Sequence, residues 1–418
     1  MRVPLPRRTF LQALAGGFAV PAINRLMADV EAQTNDAIEA RAGALLRTFD
    51  AQGHHRTGTA VDRASGEWLR AEAVRAGGQA RLVSFDLDRL DVLDAYVEVA
   101  GRRIDGLPLF DGGSTSAAGI SAPFASDGLH LARADRGAVG TEGTFLDDIR
   151  RAGRVRAIVV TTESDVPGLV PSNARLFAAP YGCPVLQVSG EARSALEAAA
   201  ATGVIARVVC RTTRTRTTAQ NVVVEVPGAS ADAPPLVVIT PRSGWWTCTA
   251  ERGGGLVCWL EAIRALAARP VGRRAVFVAS SGHELGHLGL DRFLHDNQSL
   301  LRAAHAWIHL GANIGAGARE KPGAGGRLQA SHDDLDELMT RALTTAAARV
   351  VDRLPRGRVP AGEARNLHVS DARYVSILGS NNPWFHHEQD RFPTSVSADF
   401  VARFAAGVTQ ASLELARL

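Results

Sequence analysis

Apolar positions in this chain fall first into helical spacing, then into short continuous runs, and the change of period outlines the fold. Residues 30–49 carry Ala, Glu and Leu at helical spacing. The pattern breaks at His54-His55-Arg56-Thr57-Gly58-Thr59 and resumes over 65–76, with Trp68, Leu69 and Ala73 on one face. Ser65 is placed to cap that helix and Gly77-Gly78 to stop it. Strands are predicted at 80–87 and 95–99. From about 95 to 215, short apolar runs at 157–161, 184–188 and 203–209 alternate with Gly- and Ser-rich turns around one helix at 191–201. That is the order of a small β-rich module. Beyond residue 221, strand and helix alternate. Continuous apolar runs at 235–240, 274–280 and 307–310 read as strands buried on both faces. Helices are predicted at 255–268, 286–296, 333–350 (capped near Ser331 or Asp333) and 396–415. A short strand is expected at 374–378 and a loop over the Gly-rich stretch 311–326. The expected fold class is α/β, a mostly parallel sheet flanked by helices in three layers, with an inserted β-rich domain.

Composition narrows the function. The net charge is +4, but Lys321 is the single lysine, and arginines are scattered among 43 acidic residues. The densest basic run, Arg211 to Arg216, is threonine-rich without interleaved aromatics, so it reads as a solvated strand or linker and no nucleic-acid partner is expected. Arg7-Arg8-Thr9-Phe10-Leu11-Gln12, followed by the apolar run 11–22, resembles a twin-arginine export signal. A periplasmic or extracellular location follows, and contact with a membrane only through an uncleaved signal. Later apolar runs fall short of the roughly 18 residues that span a bilayer. Cys183, Cys210, Cys248 and Cys258 form no Cys-x-x-Cys pair, which excludes zinc-ribbon and thioredoxin-type sites. Disulfides 183–210 and 248–258, or buried free thiols, are both consistent with the spacing.

The chemistry concentrates in Ser281-Gly282-His283-Glu284-Leu285-Gly286-His287-Leu288-Gly289-Leu290. Taken alone, His283-Glu284-x-x-His287 is the zincin pattern, in which two histidines one helical turn apart hold zinc and the Glu activates water. Its context argues otherwise. The preceding 275–281 is β-like, Gly282 makes a turn, and Leu290 and Phe293 stand where the extended zincin motif places Gly and His.

The stretch 218–405 instead resembles the aminopeptidase family of zinc exopeptidases, which includes bacterial leucyl aminopeptidases, glutamate carboxypeptidase, glutaminyl cyclase and the transferrin receptor ectodomain. The resemblance rests on Asn221-Val-Val-Val-Glu-Val-Pro-Gly228 before an apolar strand, on Ala250-Glu251-Arg252-Gly253-Gly254-Gly255 in place of Asp-Asn-x-x-Gly, on the strand leading into His283-Glu284-Leu285-Gly286, and on His386 with Asp390. Beyond the signal segment at 1–30, it implies three segments: N-terminal helices of the peptidase-like domain at 31–94, a protease-associated-like insert at 95–215, and the exopeptidase-like domain at 216–418. It also implies a two-zinc site. One zinc would take a His-x-Asp histidine, the bridging acid and a further acid. Here these positions read Pro241-Arg242-Ser243, Glu251 and Gly311, so one set is dismantled. The other zinc would take Glu251, Glu284 and His386, all donors, while the general-base position holds His283.

The resemblance therefore implies one zinc ion or none. His283 is open to three roles: base, extra ligand, or helix-start hydrogen-bonder. His287 is expected on a helix face. His309 could compensate for Gly311 only if strand alternation aims it at the site. Trp245-Trp246 either lines the cleft or packs in the core, Ser370-Asp371 caps a helix or borders a specificity pocket, and no local motif supports Ser243 or Cys248 as a nucleophile. Two functions stay open: a catalytically altered or inactive pseudo-peptidase with a binding role, and a single-zinc hydrolase or cyclase. The partner is a peptide or small amide-like substrate, or a protein at the cleft.

Overall fold

The computed structural model describes residues 19–135, 145–269, 271–317 and 324–417. The twin-arginine stretch lies outside them. Four central strands, Tyr374–Gly379, Ala306–Leu310, Leu236–Pro241 and Ala275–Ser280, are adjacent and parallel. The antiparallel strands Ala206–Val226, Gln79–Val99 and Arg102–Asp105 extend the sheet on one side, and Gly326–Ala330 with Val350–Arg353 on the other. Alternate residues of each central strand feed different layers. Val238, Phe277 and Ile308 join a core with the helices Gly254–Ala267, Asp333–Thr345 and Ala398–Leu415. Val237, Val276 and Trp307 face the opposite layer, with Leu290, Phe293 and Leu367. Burial on both faces is why these strands read as unbroken apolar runs, and the mostly parallel α/β class holds.

The flanks depart from expectation. The strands expected at 80–87 and 95–99 are one 21-residue strand, Gln79–Val99, paired along its length with Ala206–Val226. Its middle is polar because this two-stranded ribbon is solvated. Arg216 there pairs with Asp86, which accounts for part of the basic run. The second helix starts at Ala60, and Thr59, not Ser65, caps it by accepting from Asp62 N. The helix expected over 333–350 ends at Thr345, with no side-chain cap at either Ser331 or Asp333. Ala347 turns with φ 52° and a strand follows. A separate four-stranded sheet, Leu107–Pro108, Val185–Ser189, Ala157–Glu163 and Leu129–Asp135, carries its own packed layers. All four cysteines are free and buried. No described helix is long and apolar enough to cross a membrane.

His55 gives this core an acid sensitivity. It is fully buried, stacked on Phe49 at 3.7 Å and bonded through Nδ1 to the Thr247 carbonyl at 2.9 Å. Burial pushes its imidazole down to about 3. The unfolded chain takes up this proton near pH 6.5 while the folded one resists. The stabilisation is therefore complete above pH 6.5 and is lost as pH falls towards 3, at up to about 1.4 kcal/mol per pH unit. Chemical denaturation at several pH values should show that slope shrinking by up to one proton in His55→Gln. Equal slopes in the two proteins would refute the assignment.

Candidate functional site

The crevice lies beyond the carboxyl ends of the parallel strands, where α/β sheets bind ligands. A π-helical turn, Thr249–Gly253, carries Glu251 and Arg252. The Gly run that follows is steric: a Cβ on Gly254 would lie 1.8 Å from the Ile314 carbonyl oxygen. Asp390 accepts from Ala250 N and Glu251 N, both at 2.9 Å, and so fixes this turn. Burial raises Asp390 to about 7 against those bonds. Cys248, His287, Asn313 and His386 around the crevice all hold positive φ, a conformation that costs energy and clusters at functional sites.

Glu251 and His386 do come together, His386 Nε2 lying 3.4 Å from Glu251 Oε1. His386 Nδ1 is 2.7 Å from the Pro171 carbonyl, which orients the ring and aims Nε2 at Glu251. A third group occupies the spot. The Arg252 guanidinium, fully buried, lies 2.5 Å from Glu251 Oε1 and is anchored by Nε donating to the Ser243 carbonyl at 2.7 Å. Burial alone would raise the Glu251 carboxyl, but Arg252, helped by His386, brings it down to about 2.

Glu284 makes other contacts. Its carboxylate accepts from Thr57 N at 2.8 Å and from Ser243 Oγ at 2.7 Å. Burial still raises its pKa. Ser243 Oγ in turn accepts from Gly282 N at 2.8 Å, so it is a structural link and not a nucleophile. Burial puts the Cys248 thiol well above its ordinary pKa. Among the described residues, no three His, Cys, Asp or Glu side chains are grouped so as to hold a metal ion. Zinc does not fit the arrangement as it stands: Glu284 is tied to its neighbours and a fixed cation already faces Glu251.

The zincin reading fails on backbone geometry. His283–Leu285 is a 3-10 turn, Gly282, Gly286 and His287 all have positive φ, and the helix begins only at Leu288. His287 is not on a helix face. It precedes the helix, stacks on His283 with ring centroids 4.7 Å apart, and bonds Asn366 at 2.8 Å. His283 Nδ1 lies 3.4 Å from Glu363 Oε1, which also accepts from Ser280 Oγ. Burial, then Arg252 and His287, hold His283 well below its usual pKa. His309 Nδ1 bonds Ser376, and its Nε2 has no hydrogen-bond partner among the described residues. A Cβ on Gly362 would lie 3.6 Å from that nitrogen and 3.8 Å from His283 Cε1, so both rings converge there.

Three features of the site were not foreseen from the sequence. Arg252 stands beside Glu251, where the resemblance places a neutral Asn, and that is its one sequence signal. Glu363 and the wall at 354–369 follow no recognisable motif. The loop at 167–175 reaches the site from the segment read as an insert: Pro167 and Pro171 carbonyls receive His387 and His386, and Ala174 N donates to the Glu284 carbonyl. Trp245 packs edge-on against Phe110, and Trp246 Nε1 donates to the His386 carbonyl. Together they wall a separate cavity of about 380 Å³. Ser370 follows the short helix Ala364–Val369 and does not cap one that starts there.

No family model matches the chain, and no curated protein does. Solved structures do. BSAP, a zinc aminopeptidase from Bacillus subtilis, is 18% identical with a TM-score of 0.71, over 91% of this chain and 95% of that one. The aminopeptidase from Aneurinibacillus sp. strain AM-1 is 13% identical with a TM-score of 0.69, over 93% and 96%. A peptidase M28 precursor from Shewanella amazonensis SB2B is 14% identical with a TM-score of 0.69, over 93% and 97%. The chain therefore has the fold of the zinc aminopeptidases, the fold that its sequence resembles.

Proposed function

We propose that this protein is an exported pseudo-peptidase, with the ancestral metal chemistry replaced by an internal ion pair and the cleft kept for binding a peptide or small amide-like ligand. One observation carries this reading: the buried Arg252 guanidinium sits on Glu251, the acid that would bridge two metals. The Arg7-Arg8 start supports export. The loop at 167–175, resting on His386 and Glu284, supports a protease-associated-like role for 95–215 as a wall of the cleft.

A single-zinc hydrolase or cyclase is the second reading. It is favoured by His386, held as metal-ligating histidines are, with Nε2 and both Glu251 oxygens lacking an aligned hydrogen-bond partner. It would use Glu251, Glu284 and His386 as ligands and His283 as base, and would need Glu284 released from Thr57 and Ser243. Aminoacyl and peptidyl amide substrates, assayed with zinc and with chelator, separate the two. No metal-dependent turnover is expected. Turnover abolished both by chelator and by Glu251→Gln would establish the second reading.

A further inference from the structure

A cavity of about 640 Å³ opens beside His283 and His287, a size ordinary for small-ligand sites. Its charge is one-sided. Arg175, Arg327, Arg358 and Arg365 line it, and no carboxylate-bearing residue does among the described residues. Some of these cations are partly engaged already, Arg365 among them. Arg327 meets Asp352 at 3.3 Å, where both are over 40% exposed, and Arg175 meets Asp147 at 3.6 Å, a carboxylate also near Arg150. Arg358 forms no ion pair among the described residues, and its side chain is exposed at the rim. The buried Glu363 behind Gly362 is bonded to Ser280 and near His283. Leu354, Pro360 and the well-exposed Val359 and Val369 add apolar lining.

We infer that this cavity binds a small organic anion with two or more negative groups on an apolar stem. The arginines come from three separate places, the loop at 175, the strand at 327 and the segment 358–365, and a ligand with more than one negative group complements more of this charge than a monovalent one does. Guanidinium forks match carboxylate and phosphate oxygens alike, and both are planar or tetrahedral oxyanions of the shared class. Val359 and Leu354 offer the stem an apolar surface. This names the ligand class for the binding role proposed above and rests on that reading. It is tested by binding alone, so its outcome does not depend on whether the chain hydrolyses anything.

Titration calorimetry on the full protein at low ionic strength should show saturable binding of glutarate, of 1,3-propanediol bisphosphate, or of both, the comparison telling carboxylate from phosphate. The neutral isostere glutaramide should not bind. Arg358→Gln should weaken binding by about tenfold or more, the loss of one charge-assisted contact. Arg327→Gln should do likewise, while Arg341→Gln, whose guanidinium pairs with Glu414 and does not line the cavity, should change nothing. Absence of saturable binding of both anions, equal binding of glutaramide, or indifference to Arg358→Gln would each overturn the inference.

Discussion

Arg252→Leu is expected to lower the unfolding free energy by about 3–5 kcal/mol, because it leaves the buried Glu251 carboxylate without its guanidinium partner and with only His386 beside it. Most of that loss is the desolvation of one unpaired charge, not the intrinsic worth of the pair. The double variant Glu251→Gln/Arg252→Leu should therefore recover much of it, giving a coupling of several kcal/mol in a double-mutant cycle. Denaturant titration of the four proteins measures this. Additive losses would mean that the pair is not coupled and that Arg252 does not stand in for a cation.

The second large effect is expected at Arg242. Its Nη1 lies 2.8 Å from Asp62 Oδ1 with both side chains wholly buried, and it donates to the Asp62 and Gln220 carbonyls. Asp62 also accepts from Gly58 N and from Ser281 Oγ. Arg242→Met should cost about 3–5 kcal/mol, again by leaving a buried carboxylate unpaired. It should also loosen the Thr57–Gly58 loop that holds Glu284. Hydrogen exchange at Thr57 and Gly58 should rise well before global unfolding, and unchanged protection there would argue against this link. Arg242 and Ser243 tie the second helix, the loop before it and Glu284 together.

The sequence showed the central sheet clearly, because burial on both faces leaves a continuous apolar signature at 236–241 and 275–280. It hid the rest for identifiable reasons. The strand Gly326–Ala330 lies at the edge of a Gly-rich stretch, and the helix ending at Thr345 runs into 346–348, an alanine run without a stop signal. The ribbon of Gln79–Val99 is held by pairing to residues over a hundred positions away, which no local pattern records. At the site, the resemblance implies that Glu251 and His386 lie close, and their side chains are 3.4 Å apart. Glu284 occupies the sequence position that the resemblance gives to a ligand, and its carboxylate is bonded to Thr57 and Ser243. Its orientation depends on Thr57, more than two hundred residues upstream. His287 misled for a similar reason: a five-residue spacing implies a helix, but three positive φ values within 282–287 forbid one.

Zinc content is the most direct test of the claim that an arginine has replaced the metal. The protein would be equilibrated with excess zinc, passed through a desalting column and analysed for metal, beside Glu251→Gln and His386→Ala. The replacement of zinc by Arg252 predicts no stoichiometric zinc that depends on Glu251 or His386. About one zinc per chain, lost in both variants, would contradict it.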